Sequence, residues 1–257
     1  MWKLLIIVAK SALALLSAAG VGLLMFAVWL VWHYEYGIGL PDDVKLATVS
    51  ATGPICSAGD RRTYLPLAEI PPLVRRAVIA YEEPDFYERP SVNPWTEPVL
   101  AALFNRSLRR ANISVSVTRC LTSLSPGCCQ GIDWHIGNAV LMNRVERNLS
   151  RDNILEIYLN ESYFGRGTYG VAAAAMSYFG KPLGLLSIDQ IAFIAALPRA
   201  PTLLSRRKDI AVDRRNLVIE RMLQYGAVNE AQAAFAKERP LEFRDEPSNG
   251  PSGQQKL

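Results

Sequence analysis

Histidine is nearly missing from this sequence, with only His33 and His135 in 257 residues. Cysteine is scarce as well: Cys56, Cys120, Cys128 and Cys129 are all there are. With so few imidazoles, and with cysteines at no zinc-finger spacing, a zinc site is the weaker reading of these residues. No basic block with interleaved aromatics occurs, which argues against a nucleic-acid partner. No internal repeat is found. The excess of 28 basic over 24 acidic residues gives a formal charge of only +4. Such a surface fits anionic lipid or a pyrophosphate, but it singles out neither. From Ser11 to Trp32 charge is absent altogether.

That gap in charge is the clearest signal present. The stretch is dominated by Leu, Ala, Val and Gly, and a bilayer core takes about 20 such residues in a helix. Lys3 and Lys10 precede it, and Trp29, Trp32, Tyr34 and Tyr36 cluster at its far end, where amphipathic rings favour the interface. A cleaved signal peptide would carry a shorter apolar region, about 7–15 residues, followed by small residues at the cut. Here Trp-Val-Trp-His follows. An uncleaved anchor is therefore expected, with a cytoplasmic N-terminus and the bulk of the chain outside. In that compartment disulfides are permitted. Four cysteines allow three pairings, and the sequence does not choose among them. Vicinal Cys128-Cys129 is a strained bridge, whereas Cys120 joined to either one is compatible with the sequence.

Half of all residues are apolar, enough for a sizeable core. Three parts are expected: a stub and anchor over 1–36, one domain over 37–244, and a disordered tail over 245–257 rich in Pro, Ser, Gly and Gln. Residues 37–67 read as irregular, with short strand-like pieces. Pro71 and Pro72 mark a helix start, and Leu73, Val74, Ala77, Val78 and Tyr81 recur at helical spacing as far as Glu82, where Pro84 stops the pattern. Residues 99–108 read as a short helix. Asn112 to Ser125 is ambiguous, and Pro126-Gly127 is a turn. Ile136 to Leu149 has a helical pattern. Ser150 is an N-cap for Arg151 to Leu159. Gly165, Gly167 and Gly170 mark a loop before a small Ala-rich helix from Val171 to Phe179. Ser187 with Gln190 forms a capping box for Ile188 to Leu197. Asp213 to Tyr225 is amphipathic and closes on Gly226, and Asn229 with Gln232 caps a last helix. The domain should be mainly α.

Two features bear on chemistry. Glu82-Glu83 places adjacent carboxylates at an apolar helix end, where like charge and burial raise a pKa toward that of a useful proton acceptor. The same pair also reads as a solvated helix end. The run Gly165 to Gly170 can cradle phosphate, or it is simply a turn.

Longer stretches carry a resemblance. Ile154-Leu155-Glu156-Ile157-Tyr158-Leu159-Asn160, then Tyr163-Phe164-Gly165, Gly167, Tyr169-Gly170, Ala172 to Ala175 and Tyr178-Phe179-Gly180-Lys181, is similar to the fourth signature block of the peptidoglycan glycosyltransferase (transglycosylase) family. Ile70-Pro71-Pro72 through Ala77-Val78-Ile79-Ala80-Tyr81-Glu82-Glu83 and Phe86 resembles the first block, centred on a Glu-Asp pair. Ala195 to Pro201 resembles the fifth, Leu-Pro-x-Ala-Pro. The similarity runs over roughly residues 45–240. It implies a lysozyme-like, mainly α-helical domain with a small jaw subdomain that touches the membrane. The implied substrate is lipid II, a disaccharide-pentapeptide on polyprenyl pyrophosphate. Glu82 stands at the family's general base, which activates the acceptor sugar hydroxyl. Glu83, Phe86, Thr118, Arg119, Asn138, Asn160, Gly165 and Lys181 are the implied substrate-binding positions. No protein metal site is implied, although Mg or Mn at the donor pyrophosphate is. Implied partners are lipid II, nascent glycan, the membrane and other cell-wall synthases such as transpeptidases. The implied place is the bacterial inner membrane, single-pass, with the domain outside the cytoplasm. No transpeptidase-like domain follows in the sequence, so a monofunctional member is expected.

The departures fall on the chemistry. Glu83 replaces Asp, Pro84 a basic residue, Arg89 a His and Ser91 a Gly. The second block, Gly-x-Ser-Thr-Ile-Thr-Gln-Gln with a nearby Lys, is here Ser114-Val115-Ser116-Val117-Thr118-Arg119-Cys120, with Ser123 near the Lys position. Counting back from Glu146 and Tyr158, the third block's Arg-Lys-x-x-Glu falls on Trp134, His135 and Asn138. The family's second functional carboxylate is thus an amide. Arg89, Arg119 and a protonated His135 are candidates to replace the lost positive charge. Three functions follow: an active polymerase with altered donor contacts, an impaired member acting as a lipid II- or glycan-binding scaffold for cell-wall synthases, and a glycan hydrolase with Glu82 as acid. The last lacks a well-placed second carboxylate.

Overall fold

A computed structural model of the protein describes residues 2–37, 63–91, 112–122 and 132–244. Helix α1 spans Trp2–Trp32 and ends in one π-turn, His33–Gly37. It runs through the charge-free stretch where the anchor is expected. Its side chains are described at Lys10, over 17–30 and at Trp32. Among the described residues, no helix is long and apolar enough to cross a membrane. The expected helix over 99–108, the turn at Pro126-Gly127, the strand-like pieces of 38–62 and the tail over 245–257 lie outside the described residues.

The domain is mostly helical. Helix α2, Pro72–Glu82, begins with Pro72 in its first turn, where a missing N–H costs nothing. Its buried face is Val74, Ala77, Val78 and Tyr81. Helix α3 is Asn112–Thr122. Its Ser/Thr content hides a helical period, because Ile113, Val117 and Leu121 are all buried. The hydroxyls of Ser116, Thr118 and Thr122 donate to carbonyls four residues back, at 3.0, 2.8 and 2.8 Å, so these three are satisfied within the helix. Helix α4, Ile132–Asn148, begins earlier than its apolar pattern suggests. Helix α5 is Arg151–Glu161, and its cap Ser150 accepts from the Asn153 N–H at 3.1 Å.

The glycine-marked loop is in fact a two-stranded hairpin, β1 (Tyr163–Gly165) and β2 (Thr168–Tyr169). Arg166 and Gly167 make its turn, both at positive φ (50° and 68°), the geometry of a twisted two-residue hairpin turn. Strands this short leave no readable alternation. Helix α6, Val171–Phe179, follows. Helix α7, Ile188–Ala196, starts in the expected Ser187/Gln190 capping box. It is buried on nearly every side from Ile191 to Ala196 and is the centre of the domain, packed against α2 and α9. A 3-10 turn, Leu197–Arg199, leads into a short helix not expected from the prolines, α8 (Pro201–Arg206). Helix α9 is Lys208–Gln224 and α10, capped by Asn229, is Glu230–Glu238. Arg215 of α9 is buried, donating to the carbonyls of Lys237 and Arg239 and so fastening α10.

Candidate active site

Helix α2 ends between its two carboxylates. Glu82 is the last helical residue, while Glu83 leaves the helix at φ −160° and ψ 80°. The change of backbone direction sends the two side chains to different cations.

Glu83 turns inward. Its carboxylate is 1% exposed, accepts from the Ile113 N–H at 3.2 Å in the first turn of α3, and is bonded by Arg89 Nε. A carboxylate at a helix N-terminus also meets the favourable end of the helix dipole. The Arg89 guanidinium continues to Glu146 of α4 through Nη1 and Nη2 at 3.1 and 2.9 Å, and to Ser114 Oγ at 3.2 Å. Glu146 takes a second guanidinium, Arg151 Nη1, at 2.9 and 3.1 Å. The result is a buried chain, Glu83–Arg89–Glu146–Arg151, that ties the turn after α2 to α3, α4 and α5. Burial raises the Glu83 carboxyl despite Arg89. Burial acts the same way on Glu146, but bonds from Arg89 and Ser114 outweigh it and hold that carboxyl below its ordinary value. Phe86 is fully buried beneath this cluster, with the Arg151 and Arg89 guanidinia 5.5 and 6.0 Å from its ring.

Glu82 turns the other way. Its two carboxylate oxygens face Arg199 Nε at 3.2 and 3.1 Å, and the Tyr158 hydroxyl of α5 bonds it from a fully buried position. Arg199 also donates from Nη2 to the Tyr81 carbonyl at 3.1 Å and lies 4.4 Å over the Tyr81 ring. Tyr81 Oη accepts from Arg214 of α9 at 3.3 Å. The Glu82 carboxyl is raised from its ordinary value: burial dominates, the Arg199 charge and bond oppose it, and the neighbouring Glu83 charge adds to it. Burial and the Glu82 charge push the Tyr158 phenol well up in turn. Glu82 is only 5% exposed at its side chain, whereas Arg199 is 40% exposed. The pair is thus a buried carboxylate behind an accessible guanidinium.

The other expected positions divide. Thr118 is buried, its hydroxyl spent on the Ser114 carbonyl at 2.8 Å. The Thr122 hydroxyl donates to the Thr118 carbonyl at 2.8 Å and lies 3.0 Å from the Asn138 side-chain amide, so these positions share one polar seam between α3 and α4. Arg119 is exposed on α3. Asn160 pairs with the Leu65 backbone, donating to its carbonyl and accepting from its N–H at 2.8 Å each, a clamp on the chain before α2. Gly165 is buried at φ +86°, and a Cβ there would sit 2.5 Å from Tyr178 Oη and 3.0 Å from the Pro201 carbonyl. It lets β1 approach the turn that carries Arg199. Lys181 is exposed beyond α6. Arg89, one candidate for replacement charge, is buried and fully engaged with carboxylates, which corrects that expectation. The side chains of Trp134 and His135, and Ser123, lie outside the described residues. Cys120 is disulfide-bonded, and the other three cysteines lie outside the described residues.

Sequence reasoning did not single out Arg199, Tyr158 or the Glu146–Arg151 pair. The only signal for Arg199 was its place as the sole cation in the Leu-Pro-x-Ala-Pro turn.

Fold and site together define a helical domain with a buried, guanidinium-paired carboxylate at a helix end. A family model described as Transglycosylase matches residues 49–223. The chain belongs to the transglycosylase family, as its signature blocks imply. Curated relatives include penicillin-binding protein 1A of Rickettsia bellii, 34% identical over 90% of this chain and 31% of that protein. Penicillin-binding protein 1A of Escherichia coli is 37% identical over 67% of this chain and 21% of that protein. That of Aquifex aeolicus is 35% identical over 72% of this chain and 26% of that protein. The chain therefore spans less than a third of the length of these relatives. Among solved structures, penicillin-binding protein 1A from Haemophilus influenzae aligns with 23% identity over 71% of this chain and 18% of that one, at a TM-score of 0.43, too slight a likeness to argue from.

Proposed function

We propose that this chain is a peptidoglycan glycosyltransferase that joins lipid II units into glycan strands, with Glu82 as the general base. The observation that carries the reading is the Glu82 carboxylate: buried at the end of α2, raised in pKa, and paired with the solvent-exposed Arg199. A sugar hydroxyl is weakly acidic and needs a positioned base, most effective when its pKa lies near the working pH. Glu82 takes the hydroxyl proton as the acceptor oxygen bonds to the donor's anomeric carbon. The anomeric C–O bond breaks, and its electron pair leaves with polyprenyl pyrophosphate. Developing charge on that group calls for nearby cations.

The membrane reading rests on the uncharged, apolar run from Ser11 to Trp32 in the sequence. On that reading a single anchor lies in the bacterial inner membrane and the domain lies outside the cytoplasm, beside the polyprenyl chain. Transpeptidases that cross-link the product are the fitting partners. No step is assigned to Mg or Mn. Residue 138 is a neutral amide and lacks the negative charge with which a carboxylate binds a hard divalent cation such as Mg.

That same amide favours a second reading, in which the chain binds lipid II or glycan without turning it over and acts as a scaffold. One experiment separates the two. The detergent-solubilised chain, Glu82→Gln and Asn138→Glu are incubated with labelled lipid II, with and without Mg or Mn. Polymer from the parent and none from Glu82→Gln is the result expected. Binding by all three with polymer only from Asn138→Glu establishes the scaffold reading instead.

A further inference from the structure

Arg199 is oddly placed for a purely structural arginine. Its Nε faces both oxygens of the Glu82 carboxylate, Nη2 holds the Tyr81 carbonyl, and Nη1 has no hydrogen bond among the described residues. The side chain is 40% exposed over a carboxylate that is 5% exposed. The backbone beneath it is stiff, a 3-10 turn with Pro198 inside it and Pro201 opening α8. In this arrangement Glu82 cannot accept a proton without giving up its ion pair, and a substrate hydroxyl approaching from solvent meets Arg199 first.

We propose that Arg199 is a positioning residue with two partners: it covers Glu82 in the free protein, and it transfers to a phosphate-type anion of the bound substrate, uncovering the base. This rests on the reading of Glu82 given above and adds the event that switches it on. Guanidinium geometry suits both partners, since the planar fork meets carboxylate and phosphate alike. Side-chain freedom on the exposed side makes the exchange possible without moving α7 or α8. The exchange has a consequence for protonation. While Arg199 is in place its charge and hydrogen bond oppose the effect of burial on Glu82, and once it leaves, burial and the Glu83 charge are opposed by the smaller effect of the Tyr158 hydrogen bond. Anion binding therefore makes Glu82 a stronger base at the moment an acceptor hydroxyl is beside it. Among the described residues, the groups that face Glu82 are Arg199, Glu83 and Tyr158, with Arg214 of α9 bonded to the Tyr81 hydroxyl. Helix α3 presents neutral Asn112, bonded to the Glu82 carbonyl, and Asp189 of α7 is held by Arg239.

Binding and protonation must then be coupled reciprocally. An anion that needs Arg199 competes with ionised Glu82, so its affinity is reduced by the fraction of protein in which Arg199 is engaged. Inorganic pyrophosphate is the probe, titrated by calorimetry into the detergent-solubilised full chain and into Glu82→Gln, Arg199→Ala and Arg199→Lys. Glu82→Gln is expected to bind several-fold more tightly than the parent. Arg199→Ala should bind about tenfold or more weakly, the scale of one charge-assisted contact, and Arg199→Lys should fall between. Parent affinity should rise as pH falls through the Glu82 titration, over and above the trend in Glu82→Gln, which reports the protonation of pyrophosphate itself. With lipid II as substrate, Arg199→Ala should raise KM and move the acid limb of kcat/KM upward in pH. The inference is overturned if Arg199→Ala binds like the parent, if Glu82→Gln binds no more tightly, or if none of the proteins binds. Polymer formation that depends on Glu82 without this binding pattern leaves the proposed activity standing and removes the exchange. The binding pattern without polymer does the reverse.

Discussion

Replacing Arg89 by leucine should be among the most damaging single changes in this protein. Arg89 bridges two carboxylates, Glu83 and Glu146, each at most 6% exposed, from a side chain that is itself buried. Leucine fills part of the space but leaves both acids without their shared cation. Breaking a buried ion pair from one side costs about 3–5 kcal/mol, because a charge is left uncompensated. For a domain of this size that corresponds to a fall in Tm of roughly 6–20 °C. The loss should depend on pH, and its sign is fixed. In the parent the Glu146 carboxyl is held low, so its contribution is present above its unfolded pKa and lost as pH falls through the lower folded value. In Arg89→Leu both carboxyls are pushed up, so their protonation on acidification stabilises the fold. The gap between variant and parent must therefore narrow toward acid pH. A second variant, Glu83→Gln/Arg89→Leu/Glu146→Gln, removes the stranded charges and should recover more than half of the loss. Arg151, 18% exposed, can turn to water. Chemical unfolding in mild detergent, followed by circular dichroism between pH 4 and 8, measures all three proteins. A loss below about 1 kcal/mol at neutral pH, or a gap that does not change with pH, refutes the reasoning.

Three further outcomes are expected. Gly165→Ala forces a Cβ against Tyr178 Oη and the Pro201 carbonyl at φ +86°, so it should cost about 1–3 kcal/mol and lower kcat by disturbing the turn beneath Arg199, read by thermal unfolding and polymerisation rate. Ser150→Ala removes the cap on the Asn153 N–H and should cost about 1 kcal/mol with activity unchanged. Glu82→Gln should be more stable than the parent at neutral pH. A carboxyl raised in the folded state stabilises fully below its unfolded pKa and loses that contribution as pH rises through the folded value, so the difference should vanish on acidification.

Local signals were the legible ones. Pro71-Pro72, Ser150, Ser187 with Gln190 and Asn229 with Gln232 each act within one helical turn, and each starts a helix as read. The type of α3 was not legible. Its hydroxyls satisfy themselves on the helix's own carbonyls, a choice that composition does not display. The hairpin at Tyr163–Tyr169 was missed because its strands are two and three residues long. At the site, only the family resemblance told adjacent Glu82 and Glu83 apart; composition and spacing did not. Their difference comes from the helix ending between them and from partners 117 residues away for Glu82, and 6 and 30 residues away for Glu83. Asn160 and Gly165, marked by family resemblance as substrate positions, have structural occupations in the clamp on Leu65 and the close packing on Pro201. The signature blocks thus located the scaffold well. They did not separate residues that hold the site from residues that face into it.

The central claim is that Glu82 is the base of a strand-forming transfer. Its most direct test is the initial rate of polymer formation from labelled lipid II by the detergent-solubilised chain and by Glu82→Gln, side by side. The account requires polymer from the parent, its rate falling on the acid side as Glu82 protonates, and a loss of about 10²–10⁴-fold in Glu82→Gln, the scale of a missing general base. Equal rates from the two proteins, or no polymer from the parent under conditions where it binds lipid II, would contradict it.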